Sequence, residues 1–274
     1  MFRNLLGLSL ALGMIPAPVA QAAPMVWVGT ADYSAGANGD GAAGEVVGPF
    51  DAYDAGPGVA LTKGAVTAGV NDVVTGYYQS YITAHTRNSA TVSAPNLETS
   101  GSGTGYELTV AAIFQETITD ISGSTVSFDM TGGNVDLYLD ADPDYDFAND
   151  TGFDDTGAII SGSIVGGGGT FTTGSSFSFG GALIEIQVTS FDPAVFDPDT
   201  IVAGTSVFTL QITPNNADFL SSITSVQTHG YDPNNDLLVV ADGNLDLAAV
   251  PEPVSMLLVG SAIVGLVMVR RRRG

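Results

Sequence analysis

The amino-acid sequence predicts a mainly β protein whose central domain is an antiparallel β-sandwich or jelly-roll-like fold, with an N-terminal signal peptide and one C-terminal transmembrane helix. Many short runs are rich in β-branched and aromatic residues, which favour strands. Glycine and asparagine separate these runs, and the chain shows no alternation of strand and helix. A right-handed β-helix is the alternative, but no fixed repeat period supports it.

The strand signals are weak near the N-terminus and strong from residue 73 onwards. Residues 24–60 are rich in Gly, Ala and Asp, and short strands are expected at Met25–Val28 and Glu45–Phe50. In Asn134–Asp140 apolar and polar residues alternate, which is typical of a strand with one solvated face. The strands predicted in the rest of the chain are Val73–Thr83, Tyr106–Ile118, Thr125–Met130, Asn134–Asp140, Ala158–Val165, Gly169–Phe179, Ala182–Ser190, Ser206–Thr213 and Asp236–Ala241.

Glycine predicts the turns between these strands. The expected turns are Gly132-Gly133, Gly166–Gly169, Gly180-Gly181 and Asp242-Gly243. One helical turn is expected after Pro214, with Asn215 or Asn216 as its cap. The apolar side chains of that turn, which we expect to face inward, are Phe219, Leu220 and Ile223.

Residues 1–22 have the three parts of a Sec-type signal peptide. Arg3 gives a positive first part, Leu5–Ile15 an apolar part, and Ala20-Gln21-Ala22 a small-residue cleavage site. We expect signal peptidase to cut between Ala22 and Ala23, because a cut after Ala23 would place Pro24 first in the mature chain.

The C-terminal residues 250–274 carry a second targeting pattern. The motif Pro251-Glu252-Pro253 is followed by an uninterrupted apolar run, Val254–Val269, and then by four arginines, Arg270–Arg273. Nine of the sixteen residues in the run are Leu, Ile or Val, which favours insertion into a bilayer. A helix of this length spans about 24 Å, so we expect a minimal transmembrane helix. The arginines (Arg270, Arg271, Arg272 and Arg273) would hold the C-terminus in the cytoplasm.

This tail resembles the PEP-CTERM protein-sorting signal of Gram-negative bacteria, because the tripeptide, the apolar helix and the basic terminus occur in the same order. The resemblance implies that an exosortase, a membrane-embedded cysteine protease, recognises the tail and removes it near Pro251, Glu252 and Pro253. It also implies an inner-membrane intermediate that passes to the cell envelope, the outer surface or the extracellular matrix. Tyr106–Ile118, followed by Gly133–Asp140 with its acidic loop, is similar to the central part of the flocculation-associated PEP-CTERM proteins, described as surface proteins needed for cell aggregation.

The exported domain, residues 23–249, is strongly acidic and contains no cysteine. Its length is enough for one domain with a hydrophobic core. It holds 28 acidic residues and two basic ones, Lys63 and Arg87, which leaves 26 net negative charges. Such a surface repels nucleic acid, anionic lipid and anionic polysaccharide unless cations intervene, so we expect no nucleic-acid partner.

Residues 136–155 contain eight aspartates and no basic residue. Four of the aspartates alternate along the chain, and on an extended backbone their carboxylates would share one side at a spacing of about 6–7 Å. Ca²⁺ is the cation that suits such oxygen ligands. The EF-hand pattern is not completed, because Tyr145 stands at the glycine position and Thr151 at the bidentate glutamate position. A solvated acidic loop is the alternative. The aspartates predicted as metal ligands are Asp140, Asp142, Asp144 and Asp146.

The sequence points to no catalytic residue. Its two histidines, His85 and His229, are accompanied by no hydrolase, metalloprotease or phosphate-loop motif. We expect a non-catalytic exported protein of the cell surface or matrix, acting in cell aggregation, biofilm or exopolysaccharide association. Its partners would be the Sec machinery, signal peptidase, an exosortase and, transiently, the membrane. Two alternatives are a carbohydrate-binding module with a flat aromatic strip on one sheet face, and a secreted polysaccharide hydrolase with two facing carboxylates in a deep cleft.

Overall fold

A computed structural model describes residues 25–35, 45–173, 178–201, 205–212 and 217–249. The signal peptide with its cleavage site at Ala22 and Ala23 lies outside the described residues, and so do the possible helix caps Asn215 and Asn216. The whole sorting tail also lies outside them, with Pro251–Pro253, the expected transmembrane helix at residues 254–269 and Arg270–Arg273. No helix formed by the described residues is long and apolar enough to cross a membrane.

The described residues form strands and very little helix. The strands are β1 (Met25–Val26), β2 (Gly29–Asp32), β3 (Val46–Phe50), β4 (Ala52–Lys63), β5 (Val73–Arg87), β6 (Ala90–Val92), β7 (Glu107–Ser122), β8 (Thr125–Asp140), β9 (Ala158–Thr172), β10 (Phe179–Phe191), β11 (Phe196–Asp197), β12 (Thr205–Ile212), β13 (Ser225–Val226), β14 (His229–Gly230), β15 (Leu237–Asp246) and β16 (Ala248–Ala249). A 3₁₀ turn covers Tyr33–Ala35, and the helix α1 covers Ala217–Leu220.

Eight of these strands close on themselves to form an antiparallel barrel. In the order β4, β5, β7, β8, β9, β10, β12 and β15, each strand pairs with the one that follows it in this order. The last strand, β15, then pairs with β4 and completes the ring. The small strand β6 pairs with the end of β5, outside the ring. We call this ring the closed sheet.

The prediction of a mainly β, antiparallel domain is confirmed, but the expected two-layer arrangement is not what the eight long strands form. A sandwich has two separate sheets with edges, whereas β4 here has a hydrogen-bonded neighbour on both sides. The strands are also longer than expected. Strand β8 joins the two segments predicted as Thr125–Met130 and Asn134–Asp140, and β9 continues from Ala158 to Thr172.

The glycines predicted as turns lie within strands instead. Gly133 in β8 and Gly167 in β9 have positive φ angles of 129° and 124°, and a Cβ atom on either would collide with a carbonyl oxygen of the neighbouring strand. The strand register is irregular beside both of them. These are features of β-bulges, which bend and twist a strand so that a sheet can curve into a ring. The expected turns at Gly180-Gly181 and Asp242-Gly243 likewise lie inside β10 and β15.

One end of the closed sheet is filled by aromatic side chains. Trp27, Tyr33 and Phe50 come from the N-terminal segment and pack against Tyr53 of β4 and Tyr106 beside β7. At the same end β1 pairs with β16, with Met25 opposite Ala249. The described domain therefore begins and finishes side by side, at this aromatic end.

The predicted helical turn is confirmed as α1. Phe219 and Leu220 are half-buried and Ile223 is buried, and all three pack on the outer face of the closed sheet. Their partners are Val59 and Leu61 of β4.

Candidate ligand cavity and acidic cluster

An apolar cavity of about 340 Å³ lies inside the closed sheet. Thr62 of β4 and Leu237 of β15 line it, at the opposite ends of their strands from Tyr53 and Leu245. The cavity is thus at the end of the closed sheet away from the aromatic end. Exposed Val66 is among its lining residues, so the cavity reaches the protein surface. Its main apolar walls are Phe114, Phe128, Phe171, Leu210 and Val239.

Small residues at inward-facing positions leave this space unfilled. Ala60, Gly76, Ala182 and Ala241 all line the cavity, whereas tyrosine and tryptophan fill the other end. A Cβ atom at Gly76 would lie 2.9 Å from Cδ2 of Phe114 and 3.0 Å from Oε1 of Glu116. Glycine at this position therefore makes room for both larger side chains.

Among the described residues that line the cavity, Glu116 is the only one with a charged side chain. Side chains alternate between the two faces of β7, and Glu116 belongs to the set that points into the closed sheet. The other members of this set are Leu108, Val110, Ala112 and Phe114. Only 8% of the surface of Glu116 is exposed, and burial raises the pKa of its carboxyl group to about 7. The cavity thus holds one carboxyl group that changes charge near neutral pH.

The cavity has the chemistry of a site for a small apolar molecule. Ligand pockets in proteins measure roughly 300–1,000 Å³ and combine apolar walls with a few polar groups. The volume here lies near the small end of that range. A carboxyl group at the wall can accept a hydrogen bond from a ligand and, when ionised, attract a cationic ligand.

A second group of functional interest lies on the outer face of the closed sheet, under residues 141–157. We call this segment, which joins β8 to β9, the acidic loop. Thr109 of β7 donates a hydrogen bond from Oγ1 to the carbonyl oxygen of Phe153, at 2.7 Å. The ring of Tyr145 stacks on the ring of Tyr81 with their centroids 4.6 Å apart. The acidic loop is therefore packed against β5 and β7.

The acidic loop brings together two of the four predicted metal ligands. Carboxylate oxygens of Asp140, Asp144 and Glu107 all lie within 4.8 Å of one another. We call these three residues the acidic cluster. Asp142 is exposed and is not part of it. Asp146 is also outside the group, and its carboxylate accepts hydrogen bonds from the amides of residues 148 and 149. The four aspartates do not share one side, because β8 ends at Asp140 and the chain then turns.

Glu107 is the buried member of the acidic cluster. It is the register partner of Asp140 across β7 and β8, and it is 0% exposed. Burial raises the pKa of its carboxyl group to about 7, and the neighbouring charges of Asp140 and Asp144 add to this rise. The amides of Asp144 and Tyr145 lie near and offset part of it. Neither oxygen of Glu107 has a partner in hydrogen-bonding geometry among the described residues.

Sequence reasoning missed both Glu107 and Glu116, although both lie in the predicted strand Tyr106–Ile118. A signal for Glu116 was present, because it stands in step with the apolar residues of that strand. An acid at an inward-facing position of an apolar strand is rare unless it has a partner or a role. No such signal marks Glu107, because its burial depends on the acidic loop, more than thirty residues later in the chain.

Several of the aromatic rings that the structure describes on the outer face pack against one another or against neighbouring side chains. Tyr145, Phe147 and Phe153 pack against one another, with ring centroids 4.8–5.7 Å apart. Tyr77 stacks on His229 at 3.9 Å. These rings are occupied by contacts within the protein. Among the described residues that line the cavity, Glu116 supplies one carboxyl group.

No family model matches the chain, and neither the curated proteins nor the solved structures contain a match to it.

Proposed function

We propose that the exported domain is a non-catalytic binding protein of the cell surface or extracellular matrix, and that its closed sheet holds one small apolar ligand. The observation that carries this proposal is the apolar cavity with the single carboxyl group of Glu116 at its wall. An eight-stranded closed sheet has an interior just wide enough to be filled by side chains or to hold one small ligand. Here side chains fill the aromatic end and leave the other end open.

The ligand of this proposal is an apolar molecule with one hydrogen-bond-donating end, an alcohol or an amine. Its apolar part would contact side chains such as Phe114, Phe128 and Leu210, and its polar end would face Glu116. A ligand ending in a carboxylate is disfavoured at alkaline pH, because two like charges repel strongly in an apolar enclosure. The carboxyl group would thus select among ligands of the same length by the charge of their polar end.

The proposed location rests on the two terminal signals of the sequence. The chain would be exported by the Sec machinery, cut by signal peptidase, held transiently in the inner membrane and released by an exosortase near Pro251–Pro253. At the surface or in the matrix it would act in cell aggregation, biofilm or exopolysaccharide association. The pairing of Met25 with Ala249 bears on the direction in which the cavity would face. Both ends leave the domain at the aromatic end, so a domain tethered by its tail would turn the cavity away from the membrane.

Binding can be measured with residues 23–249, which contain all the described strands. The probe is N-phenylnaphthylamine, a neutral apolar fluorophore with one N–H group, whose emission rises in an apolar site. Competitors are an alcohol, an amine and a carboxylate with the same ten-carbon chain. At pH 8 we expect the alcohol and the amine to displace the probe at concentrations at least about tenfold lower than the carboxylate, because Glu116 is then ionised.

Two matched variants test whether the cavity is the site. Ala182→Phe places a ring in the cavity and should abolish probe binding, whereas Leu183→Phe changes the next residue, which is 48% exposed, and should not. Glu116→Gln should retain probe binding but lose most of the preference for the amine over the carboxylate. Normal binding by a folded Ala182→Phe protein would refute the proposal, with folding checked by its melting temperature.

A further inference from the structure

We propose that Glu107, Asp140 and Asp144 form a calcium site on the outer face of the closed sheet. This site lies on the opposite side of β7 from the apolar cavity. The calcium proposal therefore does not depend on the ligand proposed for the cavity. The proposal changes the ligand set expected from the sequence, because it keeps Asp140 and Asp144, drops Asp142 and Asp146, and adds a glutamate from another strand.

The first argument is the spacing of the three carboxylates. One oxygen from each residue lies within 4.8 Å of the other two. Two oxygens bound to one Ca²⁺ at about 2.3–2.6 Å can be separated by no more than about 4.6–5.2 Å. The spacing of the acidic cluster is therefore compatible with three oxygens bound to one such ion after small side-chain adjustments.

The second argument is the burial of Glu107. Its side chain is 0% exposed, and neither of its carboxylate oxygens has a hydrogen-bond partner among the described residues. A buried carboxylate without a partner is strongly unfavourable, and such groups are normally paired or bound to a metal. Glu107 is turned toward Asp140 and Asp144, which are themselves acidic and cannot neutralise it.

The third argument is that no basic side chain is available to the acidic cluster. The described residues include two basic residues, Lys63 and Arg87. Lys63 forms an ion pair with Asp236, and Arg87 is exposed at the end of β5. A cation that balances the ionised acidic cluster would therefore come from solution.

The fourth argument is that the acidic loop holds Asp144 in place. Gly152 has a positive φ angle of 76°, and a side chain there would collide with Asp144. The segment between them is closed by hydrogen bonds between the backbones of Asp146 and Thr151, at 2.9 and 3.2 Å. Asp150 is bonded to two further parts of the chain, Gln79 and the turn at Gln227 and Thr228. The backbone of the loop near Asp144 is thus held in place by the fold, whereas the Asp144 side chain is exposed.

Calcium is the ion that this donor set favours. Three carboxylates are hard oxygen ligands and offer neither nitrogen nor sulfur, which Zn²⁺ and Cu²⁺ prefer. Ca²⁺ accepts irregular geometry and completes its shell of six to eight oxygens with carbonyl groups and water. Mg²⁺ demands a closer octahedral arrangement and gives up its water with difficulty. Extracellular calcium modules bind with dissociation constants of about 10⁻⁴–10⁻³ M, which sets the concentration range for a test.

The experiment measures the melting temperature of residues 23–249 in CaCl₂, in MgCl₂ and in NaCl at equal ionic strength. With calcium in hundredfold excess over its dissociation constant, we expect a rise of roughly 5–10 °C for a domain of this size. Sodium and magnesium should produce a clearly smaller rise. An equal effect of calcium and sodium would overturn the site, and an equal effect of magnesium would overturn its assignment to calcium.

Variants then test the ligands. Asp140→Asn and Asp144→Asn should each raise the dissociation constant for calcium at least about tenfold, measured by calorimetry. Glu107→Gln should raise the melting temperature in the absence of calcium, because it removes a buried charge, and should abolish the further rise that calcium gives. Asp142→Asn, an exposed change in the same loop, is the matched control and should keep the full calcium response. A full response in Glu107→Gln, or a lost response in Asp142→Asn, would refute the proposed ligand set.

Discussion

At the scale of single residues, two buried ionisable groups respond to pH in opposite directions. Burial lowers the pKa of His85 to about 3, below its ordinary value of 6.5. Its contribution to stability is therefore lost as pH falls below about 6.5. Burial raises the pKa of Glu116 to about 7, above its ordinary value of 4.5. The stability that comes from keeping Glu116 protonated is present below about pH 4.5 and is lost as pH rises through 7.

The effect of Glu116 can be isolated by comparison with Glu116→Gln, whose side chain has nearly the same shape and never ionises. The unfolding free energy of the natural protein minus that of the variant should fall by about 3 kcal/mol between pH 4.5 and pH 8, since one pKa unit corresponds to about 1.4 kcal/mol. Urea unfolding at a series of pH values measures it. Glu185→Gln, at an exposed position on β10, is the control and should give a flat difference. A flat difference for Glu116→Gln as well would show that the carboxyl group is not buried in solution.

The sequence allowed part of the residue-scale picture to be predicted. An acidic segment was expected between β8 and β9, and Asp140 and Asp144 in it do come together. Their partner Glu107 could not be predicted, because the contact depends on strand register and on a loop that folds back over the sheet. The spacing of the four aspartates also led to a wrong prediction. Alternating residues share one side of the chain if the backbone is extended, and here it turns after Asp140.

At the scale of elements, one aspartate of the acidic loop accepts three hydrogen bonds from two other segments of the chain. Asp150 accepts hydrogen bonds from Nε2 of Gln79 at 2.9 Å, from the amide of Gln227 at 3.0 Å and from the amide of Thr228 at 2.7 Å. It therefore joins the acidic loop to β5 and to the turn between β13 and β14. Hydrogen bonds to a charged group contribute more to stability than those between neutral groups.

Asp150→Ala should lower the unfolding free energy by about 2–3 kcal/mol, because it removes the acceptor of the Thr228 amide and of Nε2 of Gln79. The amide of Gln227 would keep one acceptor, Oε1 of Gln79. Asp154→Ala provides the matched comparison, since Asp154 is an exposed residue of the same loop. It should change the unfolding free energy by less than about 0.5 kcal/mol. Urea denaturation of both variants measures the difference. Equal stability of the two variants would contradict an anchoring role for Asp150.

The strands of the closed sheet were easier to predict than its shape. Local composition correctly indicated strands in most of their positions, because β-branched and aromatic residues fit a pleated surface. The glycines caused the error in the predicted lengths of the strands. Gly133 and Gly167 permit positive φ angles inside long strands, where the sequence pattern favoured turns between short ones. A glycine in a bulge and a glycine in a hairpin look alike in sequence, and only the pairing partner distinguishes them.

At the scale of the whole molecule, the two ends of the described domain lie together. Met25 pairs with Ala249, and the amide of Trp27 donates a hydrogen bond to the carbonyl oxygen of Leu247 at 3.0 Å. The expected signal cleavage after Ala22 is only a few residues before this pair, and the motif Pro251–Pro253 is only a few residues after it. Removal of both signals would therefore leave every described strand in the mature chain.

The last prediction concerns this processing. Protein recovered from the surface or culture fraction of the native host should begin at Ala23 and lack the apolar segment Val254–Val269, as intact-mass spectrometry can establish. Replacing Arg270–Arg273 with alanine removes the charges expected to hold the C-terminus in the cytoplasm, and it should reduce processing. The melting temperature of the released domain should stay unchanged, because Arg270–Arg273 lie outside residues 23–249. Recovery of only a membrane-bound species that retains the arginines would contradict removal of the tail, and normal processing of the alanine variant would show that the basic terminus is not needed.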